Sequence, residues 1–179
     1  MAGRAWRFIV HDSIAGRLPP APPERAPGDV PHPAVRRLRA FTQDPSVSRL
    51  NGAVTTLAIP YEPLAPGPSG TYFVVEGESE RRERPWVPVD LDQPELLMRD
   101  GFDPSTTDRR FACQMTYAVA METYARFQRA LGRDPGFGPT GRSDRRLCIR
   151  PHAFRDANAY YDRDEGAVLF GWDEAHEFA

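Results

Sequence analysis

Thr106 to Leu131 reads TTDRRFACQMTYAVAMETYARFQRAL, and this stretch decides the fold. Cys113, Tyr117, Ala120, Met121, Tyr124, Phe127 and Leu131 recur at helical spacing and share one face, with Glu122, Arg126 and Arg129 opposite. Glu122 and Arg126, one turn apart, make a favourable pair. Phe111, Met115 and Val119 lie off the main face in the first half, so the helix is expected to be buried nearly all round at its start and half exposed at its end. Ser105, with Asp108 three positions on in place of the usual Glu, is expected to cap it, and Gly132 to stop it.

Downstream, residues 134–144 form a Gly/Pro/Ser loop, and Leu147-Cys148-Ile149 is a short strand. Tyr160-Tyr161 and Val168-Leu169-Phe170 are expected to pair as a hairpin around residues 162–166, with Gly166 suited to a positive φ. Upstream, Ala53–Ile59 and Thr71–Val75 are β-branched and apolar, two strands joined by a stiff Pro/Gly connection. Glu76–Arg84 is a charge cluster expected in an exposed turn, Trp86-Val87-Pro88-Val89 an edge strand, and Pro94–Met98 a helical turn.

Residues 1–48 are expected to form an N-terminal arm: a short strand at Trp6–Val10, a Pro-dense segment at 19–33, then a short helix at Ala34–Phe41. The helix rests on Val35, Leu38 and Phe41 at spacing three, with Arg36, Arg37 and Arg39 between them and Asp44-Pro45 as its end. Residues 49–179 then make an α+β domain, a β-rich lobe in which one long buried helix (about 105–131) packs against an antiparallel sheet and its edge strand.

At 179 residues the chain has length for one core. All 23 Lys+Arg positions are Arg, and they balance against 25 Asp+Glu to a net charge of −2, so the totals imply no basic surface for nucleic acid or anionic lipid. Cys113 and Cys148 sit in apolar patterns where a free thiol serves as a small hydrophobe. No apolar run approaches a membrane span or a secretory leader, which makes a cytoplasmic protein the expectation.

The segment Asp156-Ala157-Asn158-Ala159-Tyr160-Tyr161-Asp162, followed by Val168-Leu169-Phe170-Gly171, resembles the Asn-Ala-aromatic-aromatic edge strand of the thermolysin-like (gluzincin) zinc metallopeptidases and the aromatic-Gly strand after it. In that family a long Tyr-rich helix comes first, then a strand, then this edge strand, and the order here is the same. The resemblance runs from about Asp103 to Trp172. It implies that the edge strand pairs with an extended peptide, with Asn158 and Ala159 contacting the substrate backbone and Tyr161 standing where many members place Trp.

The family's zinc site is not matched. It uses two histidines one helical turn apart with a Glu as general base, and no His-Glu-x-x-His occurs in this sequence; His176-Glu177 begins one, but Phe178-Ala179 follows. The resemblance therefore implies the N-terminal, substrate-strand-binding portion of a zinc-dependent metallopeptidase, inactive as given. No residue is assigned a catalytic or metal-binding role, zinc is expected only in a longer form, and the implied partners are an extended peptide and a C-terminal catalytic lobe. That lobe would pack where an exposed apolar surface is expected, around Phe170 and Trp172. The alternatives are a non-catalytic peptide-binding or interaction module, and an ordinary α+β domain.

Other candidate chemistry is thin. His11, His32 and His152 lack a second His at ligand spacing, and Asp162, Asp164 and Glu165 lack the spacing of a calcium loop. Gly136-Phe137-Gly138-Pro139 loses an amide that a phosphate cradle needs, and Ser13, Ser79 and Ser143 have no nucleophile-elbow context.

Overall fold

The computed structural model describes residues 33–44, 53–77, 88–137 and 145–172. The expected strand at Trp6–Val10, nearly all of the Pro-dense arm, residues 78–84 of the charge cluster, and Trp86-Val87 lie outside them. The elements are β1 (Val35–Phe41), β2 (Val54–Pro60), β3 (Phe73–Val75), α1 (Pro94–Met98), α2 (Arg109–Leu131), β4 (Leu147–Phe154), β5 (Ala159–Asp162) and β6 (Ala167–Gly171). One long helix with two sheets makes this an α+β fold.

Helix α2 begins later than its sequence pattern. Asp108, not Ser105, is the N-cap, and its side chain accepts the Arg110 N–H at 2.9 Å. The Ser105 hydroxyl instead accepts from the Thr107 and Asp108 amides, a local turn that leads the chain into the cap. Asp108 wins because its carboxylate is the stronger acceptor and the Arg110 guanidinium closes on it at 2.8 Å. At the far end Gly132 adopts φ 62°, the left-handed C-terminal stop expected of it. Cys113, Tyr117, Met121 and Tyr124 are buried as their spacing requires, joined by Phe111, Gln114 and Ala118. Beyond Tyr124 no residue of α2 is buried, and Phe127 and Leu131 face solvent despite lying on the apolar stripe.

The segment expected as a helix at Ala34–Phe41 is a strand. β1 pairs antiparallel with β2 along its whole length, from Val35 opposite Pro60 to Phe41 opposite Val54. The inward positions are Arg36, Leu38 and Ala40, a period of two hidden by the charge on the first of them. The Arg36 guanidinium donates to Leu91 O at 2.5 Å, to Glu62 O at 2.9 Å and to Asp92 Oδ1, and lies over the Tyr61 ring at 4.8 Å. Asp92 Oδ2 in turn accepts the Leu64 N–H at 2.7 Å. β1 lies on the arm side of the boundary drawn after residue 48, yet it pairs with β2 and Leu38 joins the core around α2.

β2, β3, α1 and the β5–β6 hairpin stand where the sequence placed them, with Gly166 at φ 60° in the hairpin turn. The second sheet has the order β3-β4-β6-β5 and is mixed, not antiparallel as expected: β3 with β4 and β4 with β6 run parallel, and only β5 runs antiparallel to its neighbour. The parallel pairing of β3 with β4 is possible because the chain crosses between them through α1 and α2. β4 also outlasts its Leu-Cys-Ile core, running to Phe154 with a register shift between Arg150 and Phe154, where Pro151 has no N–H to give the ladder.

The core gathers one flank of α2 with Leu38 and Ile59 from the first sheet and Phe73, Val75 and Ile149 from the second. Polar side chains fasten the same contacts. Gln114, fully buried, accepts the Phe102 N–H at 2.7 Å and donates to Arg39 O at 3.0 Å, and any side chain at Gly101 would run into it. Tyr117 donates to Glu62 Oε1 at 2.5 Å while Glu62 Oε2 accepts the Thr71 N–H. Cys113 and Cys148 are buried and form no disulfide. Among the described residues no helix is long and apolar enough to cross a membrane.

Candidate functional site: the exposed edge of the mixed sheet

β5 is the outer strand of the four, and its first three residues are exposed. Its orientation follows from one bond. Asn158 O accepts the Gly171 N–H at 2.8 Å, so the peptide carbonyl before Ala159 points toward β6. A trans peptide sets its N–H opposite its carbonyl, so the Ala159 N–H points away from β6 to the free side. The ladder alternates from there: Tyr160 and Asp162 turn their backbone groups inward to Leu169 and Ala167, and Ala159 and Tyr161 turn theirs outward.

Side chains flank that edge on both faces of the sheet. Tyr161 stands beside Val168 and Phe170 on the face where Val168 meets the main core. Tyr161 remains 51% exposed and Phe170 41% exposed. The opposite face carries Tyr160, whose ring stacks on Phe154 at 5.4 Å, beside a smaller cluster of Cys148, Ala153, Ala167 and Leu169. Trp172 is half-buried, with Arg155 over its ring at 5.8 Å and its N–H bonded to Phe154 O. Gly171 is fixed in identity by crowding, since a Cβ there would collide with Asp156 O and the Phe154 ring.

The structure thus brings Asn158, Ala159 and Tyr161 together on one edge. Asn158 does something its sequence does not reveal: its Oδ1 accepts the outward N–H of Ala159 at 2.8 Å. The groups left facing outward from the strand are the Ala159 carbonyl and both backbone groups of Tyr161. Tyr160 stood in the sequence motif without an assigned role, and Phe154, which walls the second face with it, was not singled out; the turn at residues 155–157 breaks any strand alternation that could have linked the two.

The remaining candidates have structural roles. Burial, with Arg109 nearby, holds the His152 imidazole below its ordinary range, so it is neutral at physiological pH. Asp162 Oδ1 accepts the Asp164 and Glu165 amides and closes the hairpin turn. Glu165 pairs with Arg150, which also reaches Glu76 at 3.5 Å, and Cys148 Sγ donates to the same Glu76 carboxylate. No group of three His, Cys, Asp or Glu able to hold a metal ion occurs among the described residues, so these residues do not fit the zinc of the resembled family. His11, His32, His176, Glu177 and Ser13, Ser79 and Ser143 lie outside the described residues. Comparisons with protein-family models, curated proteins and solved structures give no match.

Proposed function

We propose that this chain binds an extended peptide by adding it as a fifth strand along β5, as the substrate-strand-binding portion of a zinc-dependent metallopeptidase. The observation that carries the reading is the pair of outward-facing backbone positions, Ala159 and Tyr161, on an exposed edge strand that begins directly after Asn158. Strand addition needs open backbone groups, here the Ala159 carbonyl and both groups of Tyr161, for affinity and flanking pockets for specificity. Support also comes from the chain order, a long helix, then β4, then β5, then β6, and from the single antiparallel strand lying outermost.

In this reading the ligand residue opposite Tyr161 exchanges two backbone hydrogen bonds with it. Neighbouring ligand side chains fall alternately against Tyr161 with Phe170 on one face and Tyr160 with Phe154 on the other, so the ligand is a Pro-free segment with apolar side chains on both faces. Asn158 contributes its Nδ2 as a donor to a ligand carbonyl. Hydrolysis is not proposed for these residues, since none of them is assigned a catalytic or metal-binding role. The chain's place of action is proposed as the cytoplasm, a reading supported by two buried cysteines that form no disulfide.

The test is a titration of isotope-labelled protein with Pro-free apolar peptides, followed by amide resonances. Shifts and slowed exchange at the Tyr161 amide, with Tyr160 little changed, support strand addition. Binding that leaves the Tyr161 amide exchanging freely refutes it.

A further inference from the structure

We infer that Asn158 is a specificity-determining residue of this edge: its carboxamide oxygen, by occupying the outward Ala159 N–H, bars a second copy of the chain from pairing β5 to β5 while leaving Tyr161 open to a peptide. The inference rests on the reading of β5 as a pairing-competent edge. An exposed edge strand with aromatic flanks pairs with its own kind unless something blocks it. β5 has the aromatic flanks, Tyr160 and Tyr161, and neither Pro nor Lys within Ala159–Asp162.

The symmetric register that uses every outward group of β5 is set by its length. With Tyr160 opposite Tyr160 of the second copy, Ala159 of each strand faces Tyr161 of the other. Each of these two pairs would exchange two backbone hydrogen bonds, four in all. Two of the four need an Ala159 N–H. Asn158 Oδ1 already holds that donor at 2.8 Å within its own chain, so self-pairing loses half its bonds on association or must first break the Asn158 contact in both copies. A peptide centred on Tyr161 needs neither. One side chain thereby penalises the symmetric partner twice and the asymmetric one at most once, which is discrimination by a repulsive element.

The test is sedimentation velocity of the full chain over a concentration series, with native secondary structure checked by circular dichroism. Asn158→Ala and Asn158→Leu remove the acceptor, and Asn158→Asp keeps it. Both acceptor-less variants are expected to self-associate about thirtyfold more tightly than wild type, the equivalent of two backbone hydrogen bonds. Asn158→Asp is expected to stay with wild type, and adding Tyr161→Pro to Asn158→Ala is expected to return it there. Folded Asn158→Ala and Asn158→Leu that sediment as wild type overturn the inference, as does association that survives Tyr161→Pro. Self-association is read without any peptide, so a wild-type chain that binds no peptide refutes the proposed function alone.

Discussion

Removing the Asp92 carboxylate should destabilise this fold more than any exposed ion pair could. Arg36 is 1% exposed, and its charge is held by Asp92, two backbone carbonyls and the face of Tyr61. Asp92→Ala leaves that guanidinium buried with neutral partners only, and also orphans the Leu64 N–H. Breaking a buried pair from one side costs about 3–5 kcal/mol. The Asp92 side chain keeps 26% exposure, so water relieves part of the loss and the lower end applies, about 3 kcal/mol. That is a large share of the roughly 5–15 kcal/mol that holds a domain folded. Asp92→Asn keeps one acceptor and should lose about half as much. Arg126→Ala, which removes the exposed i,i+4 bridge to Glu122, should cost about 0.5 kcal/mol or less. Urea unfolding followed by circular dichroism gives all three from midpoints at a common slope. Asp92→Ala within about 1 kcal/mol of wild type would show that the Arg36 site is reached by water and that the argument from burial is wrong.

Tyr161→Pro removes an outward N–H without touching the β5–β6 ladder, so it should weaken peptide binding about fivefold or more in a fluorescence titration while thermal stability stays near wild type. Gly132→Ala should cost about 1–2 kcal/mol in urea, all from the φ of 62°, because no atom lies close enough to crowd the new methyl. The hydrogen bonds from Arg110 hold the Asp108 carboxyl below its usual range. A depressed folded value gives stability that is present above the unfolded carboxylate pKa, about 3.9, and is lost as pH falls through the folded one; Asp108→Asn should therefore flatten the acid limb of the stability profile. Burial pushes the Cys113 thiol up to about 12, so at neutral pH it should ignore a thiol reagent in the native protein and react on unfolding.

What could be read from sequence was local. Helix α2 announces itself over six turns, and the β5–β6 hairpin is closed by a turn whose Gly166 and Asp162 are both informative. β1 was hidden because Arg36 points inward, and an inward Arg makes sense only once Asp92, distant in sequence, is known to meet it. Without that partner, Val35, Leu38 and Phe41 offer a period of three that mimics a helix. The parallel pairings of β4 were equally out of reach, since Phe73 meets Leu147 only after the intervening chain has folded. The edge position of β5 was legible through a resemblance, whereas the turn of the Asn158 carboxamide back onto its own strand depends on torsions that no pattern records.

β5 contributes no buried residue, while β3 and β4 carry the most distant pairing in the sheet. Cooperative opening of such a molecule is layered. The hairpin end can unzip and reclose with little cost to the main core, and its amides should exchange with solvent well before those of β3, β4 or α2. A partner that seals the outer strand would draw its ordering free energy from that loosest layer, so the signature of occupancy would be a local slowing of exchange at the sheet margin with the global unfolding transition almost unmoved.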